Sequence, residues 1–130
     1  MHSNRPRVAE PSSEVRAIAD WSLIAQNAIV AAGRRFPGEA AVHMGIVHAA
    51  ICDAVVAIEG GYRPYAVAPT VPPNTSVEAA VTTAAHHVLA GRFPDQQAVL
   101  DDLYFTDAPS QRRARQYRAL RPAAARAWSL

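Results

Sequence analysis

The chain has 130 residues, half of them apolar, which is enough for one domain with a modest core. Its charged fraction of 18% is too low for a disordered polyelectrolyte, and its single cysteine excludes an internal disulfide. All thirteen basic residues are arginine, so any mechanism that requires a lysine is excluded. Residues 1–109 carry a net charge of −4 and residues 110–130 a net charge of +6, so the basic balance belongs to the tail.

The first ten residues contain Arg5 and Arg7, but no continuous apolar stretch follows them directly. We therefore expect no secretory signal and a cytoplasmic location. The most apolar run, residues 40–58, is interrupted by two histidines and an aspartate, His43, His48 and Asp53. A membrane span would tolerate these side chains poorly, so the run predicts a buried helix of a soluble protein and no membrane association.

Two helices are predicted in the first half of the chain. Residues 11–14 resemble a helix start, with a hydroxyl cap and an acid in the first turn, and Gly33 ends the helix. Its inward positions are Val15, Ile18, Trp21, Ile24 and Ala28. Pro37 opens the second helix, which runs to about Glu59 and stops at Gly60–Gly61. One of its faces carries Met44, His48, Ile51, Val55 and Ile58.

The second half begins with a proline-rich connection over residues 61–73, where regular helix and central strand are both disfavoured. A capping box with Thr75 as cap and Glu78 three residues later predicts a third helix over residues 76–91. A short fourth helix follows Pro94 and runs to about Phe105, and residues 107–109 are compatible with the start of a fifth.

These elements predict an all-α fold, a partial helical bundle of three to five helices with a Pro-rich connection. We divide the chain into a disordered N-terminal segment (residues 1–12), a helical domain (residues 13–107) and an Arg-rich tail (residues 108–130).

The histidines do not form a metal site by spacing alone. His43, His48 and Asp53 are five residues apart, so each is turned about 140° from the last on a helix. A composite site of His48 with His86 or His87 from another helix stays open, but hydrogen-bonded core or boundary histidines are the commoner case. We assign no metal ligand, no catalytic residue and no cofactor-binding residue.

Other reactive groups are interpreted as structural. Cys52 lies mid-helix among apolar residues and is expected to pack rather than to act as a nucleophile. Asp101 and Asp102 are adjacent, so their carboxylates point apart and suit a solvated face. The tail carries six arginines with Tyr117 and Trp128, but nucleic-acid binding is disfavoured because no recognised module precedes it.

Several segments in order resemble the N-terminal region of bacterial vanadium-dependent haloperoxidase-related proteins, of the type-2 phosphatidic acid phosphatase superfamily. The most specific is VHAAICDAVVAIEG at residues 47–60, followed by YRPY at residues 62–65. Further similar segments are residues 20–21, 72–80, 84–89, 93–96 and 100–104. The resemblance covers about residues 18–104.

The resemblance implies a helical protein whose full-length form binds vanadate or phosphate. That oxyanion pocket is built from Lys-x6-Arg-Pro, Pro-Ser-Gly-His and Ser-Arg-x5-His elements, and none of the three occurs in this sequence. No catalytic residue is therefore carried over, no cofactor is assigned to this chain, and the chain alone is expected to be inactive. His48 and Asp53 match the family's helix pattern, in which packing or helix-to-helix hydrogen bonding is the plain role.

The expected function is thus that of a non-catalytic N-terminal helical portion, and the acid-free tail after residue 110 suggests a truncated or frameshifted member. Two alternatives stay open. One is a small α-helical interaction module that dimerises through exposed apolar helix faces. The other is one chain of a split phosphatase or haloperoxidase, with the oxyanion site on a second chain.

Overall fold

The computed structural model describes residues 12–66, 68 and 74–106. These residues form an all-α partial bundle and contain no β-strand. Its four α-helices are α1 (Ser13–Gln26), α2 (Pro37–Glu59), α3 (Val77–Arg92) and α4 (Gln97–Thr106). The N-terminal segment, the Arg-rich tail and the predicted fifth helix lie outside the described residues.

Helix α1 begins where the sequence predicted, and the predicted end at Gly33 is reached by a π-helix that follows it. The Ser12 hydroxyl accepts a hydrogen bond from the backbone N–H of Val15 at 3.3 Å, which caps the first turn. After Gln26 the chain continues as a π-helix, Asn27–Ala32, and then reaches Gly33. Val15 was expected to face inward but is 55% exposed. The inward stripe follows four-residue steps instead: Ala17, Trp21, Ala25 and Ile29.

Helix α2 has the predicted bounds, but it is buried along one side only, whereas the sequence predicted a buried helix. Gly60, with φ 69°, ends it in the left-handed region that favours glycine. Only 28% of its most apolar 18-residue window is buried, although the helix is long and apolar enough to cross a membrane by length and composition. Its fully buried apolar residues lie on one side: Ala40, Val47, Ala50, Ile51 and Ala54. His48, which shares its predicted face with apolar residues such as Met44 and Ile51, is exposed.

Helix α3 occupies the centre of the described helices, whereas the sequence had predicted α2 as the buried helix. It packs against α1, α2 and α4, and its short alanine side chains allow neighbours to approach from three directions. Its cap is Ser76 rather than Thr75, because the Ser76 hydroxyl accepts from the N–H of Ala79 at 3.1 Å. The helix therefore starts one residue later than predicted.

Helix α4 covers the remaining side of α3. A 3₁₀ turn, Pro94–Gln96, reverses the chain after the buried Phe93, and α4 then runs to Thr106 as predicted. Leu100 and Tyr104, one turn apart, are its buried residues. The ring of Tyr104 lies against Trp21 of α1 and His86 of α3, at a cluster of polar side chains.

Candidate functional site

A histidine–aspartate pair lies in the core between α3 and α4. His86 is 6% exposed, and its Nε2 is 2.7 Å from Oδ1 of Asp101, which is half-exposed. The side-chain amide of Gln97 donates to the same oxygen at 2.9 Å, since it lies one helical turn before Asp101. The carboxylate is therefore positioned by its own helix to receive the imidazole.

Aromatic rings enclose the imidazole of His86. The ring of Trp21 approaches it edge-on with centroids 6.3 Å apart, and the ring of Tyr104 lies 4.9 Å away. The Tyr104 hydroxyl lies 3.3 Å from the hydroxyl of Thr83, one helical turn before His86 on α3. We refer to Trp21, Thr83, His86, Asp101 and Tyr104 as the core polar cluster.

The core polar cluster has a structural role: its hydrogen bonds connect α3 to α4. A carboxylate that accepts from an imidazole fixes the orientation of the ring, as in many catalytic pairs. Here, however, the aromatic rings of Trp21 and Tyr104 pack on the imidazole and reduce access to it. The general expectation of hydrogen-bonded core histidines is thus confirmed at His86. The expectation that Asp101 belongs to a purely solvated face is wrong, because it joins α4 to α3.

Asp53 forms a second buried polar centre on α2. It is 1% exposed, and its carboxylate oxygens accept hydrogen bonds from the backbone N–H groups of Tyr65 and Ala66 at 2.5 and 3.0 Å. These bonds bring the segment after Gly60–Gly61 back onto the helix. Asp53 is thus a packing and hydrogen-bonding residue, the role that the sequence predicted for it in general terms.

Substituting Asp53 with asparagine should weaken this connection. The amide has one oxygen acceptor, so one backbone N–H would face an NH₂ group, and we expect a loss of about 1–3 kcal/mol in the free energy of unfolding. Amide hydrogen exchange at Tyr65 and Ala66 should accelerate in the variant. Glu59→Gln, which removes an exposed carboxylate from the same helix, is the matched control. Unchanged exchange at both amides in Asp53→Asn would contradict the assignment.

The other histidines have separate surroundings. Nε2 of the exposed His48 is 3.2 Å from the Ser22 hydroxyl on α1, while His43 lies near Arg92 and Phe93 at the other end of the α2–α3 contact. No group of three or more possible metal ligands occurs among the described residues. A shared metal site of His48 and His86 gains no support, because His48 contacts Ser22 and His86 contacts Asp101.

Cys52 is exposed on α2, so the expectation that it packs in the core is wrong. Its position follows from the helix period: it lies on the side opposite Val47 and Ala54, the side that no described helix covers. The sequence pattern missed both this exposure and the His86–Asp101 pair. The pair joins residues 15 positions apart across a turn, and helical spacing within one segment contains no signal for it.

Comparison with known proteins found no matching family model, no matching curated protein and no matching solved structure.

Proposed function

We propose that this chain is a non-catalytic helical portion of a larger haloperoxidase- or phosphatase-like assembly, and that it docks through the uncovered side of α2. The observation that carries the proposal is the exposure of this uncharged side. It consists of residues spaced three and four apart, all exposed except the part-buried Ala49 and Val56, which we call the outer face: Gly38, Ala41, Val42, Gly45, Ala49, Cys52 and Val56.

The outer face has the properties of a helix-packing surface. It extends over about 27 Å of helix, and no charged side chain lies on it. Small residues such as Gly45 and Ala49 let a second helix approach closely. Val42 is 60% exposed, and nothing lies within 4 Å of a Cβ built on Gly45. An uncharged strip of this length on a 23-residue helix favours coverage by another protein surface.

The resemblance of residues 47–65 suggests which surface that is. In the family, helices of the catalytic half follow this region, and they contain the vanadate or phosphate site. The described residues supply only structural hydrogen bonds at the matching positions, Asp53 and His48. A packing role therefore accounts for the resemblance without any catalytic residue in this chain.

The genetic test is to sequence the DNA beyond codon 130 and translate every forward frame. We expect the Lys-x6-Arg-Pro, Pro-Ser-Gly-His and Ser-Arg-x5-His elements in one of them. A polypeptide carrying these elements should then co-purify with this chain and show phosphatase or bromide-oxidising activity. Absence of the elements from every frame would overturn the proposal and favour the self-associating interaction module.

The outer face itself is tested by charge insertion. Ala41→Glu should abolish co-purification with that polypeptide, because a carboxylate in the helix contact would be buried without a partner. Ala98→Glu places the same charge on exposed α4, away from the outer face, and should have no effect. Sedimentation velocity on the isolated chain distinguishes the alternative: a defined dimer that Ala41→Glu dissociates would favour dimerisation. Equal binding by both variants would exclude the outer face as the docking surface.

A further inference from the structure

The approach of α2 to the end of α3 gathers positive charge around one aromatic ring. The guanidinium carbon of Arg35 lies 5.4 Å from the ring centroid of Phe93, and the imidazole of His43 lies 5.1 Å from it. Nη1 of Arg92 is 3.5 Å from Nδ1 of His43. The Arg35 guanidinium, from the loop before α2, and the His43 imidazole, from α2, therefore lie near the Phe93 ring, and the Arg92 guanidinium, from the last turn of α3, lies against His43.

Negative charge near this cluster is sparse. The ion pair at this cluster is a long one, 3.9 Å from Arg35 Nη1 to Glu39 Oε2, with both side chains about half exposed. Among residues 12–66 and 74–106 no carboxylate forms an ion pair with Arg92, whose hydrogen-bond partner is the His43 ring. The cluster thus has more positive than negative charge; the Arg35 side chain is about half exposed, and His43 and Arg92 are part-buried.

The backbone holds Arg35 in place. A Cβ on Gly33 would lie 2.8 Å from Cε1 of Phe93, so the turn before α2 sits directly on the ring. Arg34 follows with φ 51°, a left-handed conformation that non-glycine residues rarely adopt and that is found preferentially at functional positions. The amide N–H of Arg35 then bonds to the carbonyl of Ile29 at 3.1 Å. The guanidinium therefore projects from a fixed turn.

We propose that Arg35, His43 and Arg92 form a binding site for a tetrahedral oxyanion, a phosphate or sulfate group. Guanidinium groups bind such oxyanions through charge-assisted, often paired hydrogen bonds, and a protonated imidazole adds a third donor. The site is separate from the oxyanion pocket implied by the family resemblance, since none of that pocket's elements is present. It also stands independently of the docking role of the outer face.

The protonation of His43 provides a local readout. Burial lowers the pKa of His43 below its usual value of 6.5, and the charges of Arg92 and Arg35 lower it further, while Glu39 raises it. A bound dianion would offset the two guanidinium charges, so it should raise the pKa of His43. By linkage, the oxyanion then binds more tightly as the pH falls through that pKa, because the imidazolium is the form that it favours.

The experiment uses the full chain and sulfate, whose charge does not change across the pH range in which histidine titrates. We expect saturable binding by calorimetry, and an NMR titration in which sulfate raises the pKa of His43. Arg35→Gln and Arg92→Gln should each weaken sulfate binding about tenfold, the loss of one charge-assisted contact. Arg63→Gln removes the same charge from an exposed position in the segment that follows α2, outside the cluster, and should leave binding unchanged.

Glu39→Gln is expected to strengthen sulfate binding, a change that a misfolded variant would not show. It removes the carboxylate that competes for Arg35, so sulfate should bind more tightly than in the unaltered chain. The proposal is overturned if sulfate does not move the His43 resonances, or if Arg63→Gln weakens binding as much as Arg92→Gln does. Unaltered sulfate binding in Arg92→Gln would also overturn the proposal. It would mean that Arg92 only stabilises the C-terminal end of α3 through the helix dipole.

A final arm distinguishes the source of the oxyanion. Inorganic phosphate and phenyl phosphate are compared under the same conditions, because the side chain of Phe36 is 77% exposed next to Arg35 and offers an apolar contact. Tighter binding of phenyl phosphate would assign the site to a phosphate group on a larger ligand. Equal binding would assign it to the free anion.

Discussion

Replacing Trp21 with alanine should lower the free energy of unfolding by about 3–5 kcal/mol, the range for truncating a large buried aromatic side chain. Trp21 is 2% exposed, and its ring contacts both His86 and Tyr104. It is therefore the common neighbour of α1, α3 and α4 at the core polar cluster. Its removal leaves a cavity beside a buried histidine–aspartate pair and opens that pair to water. Urea denaturation followed by far-UV circular dichroism measures the change.

The control lies two residues further along the same helix. Leu23 is 65% exposed, so Leu23→Ala removes apolar surface that is mostly in water and should change the stability by less than about 0.5 kcal/mol. Similar losses in the two variants would mean that α1 does not pack on α3 and α4 through Trp21.

The same substitution at two glycines should have opposite effects. A Cβ on Gly33 would lie 2.5 Å from the carbonyl oxygen of Ala28, 2.8 Å from that of Ile29 and 2.8 Å from Cε1 of Phe93. Two of these contacts are with backbone, which cannot rotate away, so Gly33→Ala should destabilise the protein by about 1–3 kcal/mol or more. Gly45 lies in the middle of α2 with nothing within 4 Å of its Cβ position. Gly45→Ala should therefore stabilise the chain by about 0.5–1 kcal/mol through reduced backbone entropy.

Thermal or urea unfolding of the two variants, compared with the unaltered chain, measures this difference in sign. Destabilisation by Gly45→Ala in the isolated chain would show that the outer face is already covered, for example by a second copy. Stabilisation by Gly33→Ala would show that the π-helical end of α1 does not pack against Phe93. The first outcome bears on the docking proposal, and the second on the turn that positions Arg35.

Local chemistry was sufficient to predict the helices and most of their ends. Pro37 at the start of α2, Gly60–Gly61 after its end and the hydroxyl of Ser12 before α1 act through backbone geometry and hydrogen bonds within a few residues. Such effects are readable from sequence because all participants are neighbours in the chain. The all-α class followed from them. The one-residue error at α3 arose because Thr75 and Ser76 are adjacent hydroxyl residues with similar capping ability.

Local chemistry did not determine which helix becomes central. Helix α2 is the longer and more apolar, yet α3 is the one that is covered by three neighbours. Periodicity reports that a helix has apolar faces, but the number of those faces that are covered depends on how many other helices the fold brings to it. The exposure of Cys52 and the outer face follows from that arrangement, and so does the proposed docking surface.

The sequence by itself determined the helical class, most of the helix ends, and the absence of Lys-x6-Arg-Pro, Pro-Ser-Gly-His and Ser-Arg-x5-His elements from this chain. Only the tertiary structure decided that His86 meets Asp101, that Asp53 accepts hydrogen bonds from residues 65 and 66, and that Arg92 meets His43 beside Phe93 and Arg35. The physical reason is the range of the interactions. Helix caps join residues within one turn. His43 and Arg92 are 49 positions apart in the sequence, and they come into contact only because α2 packs on α3.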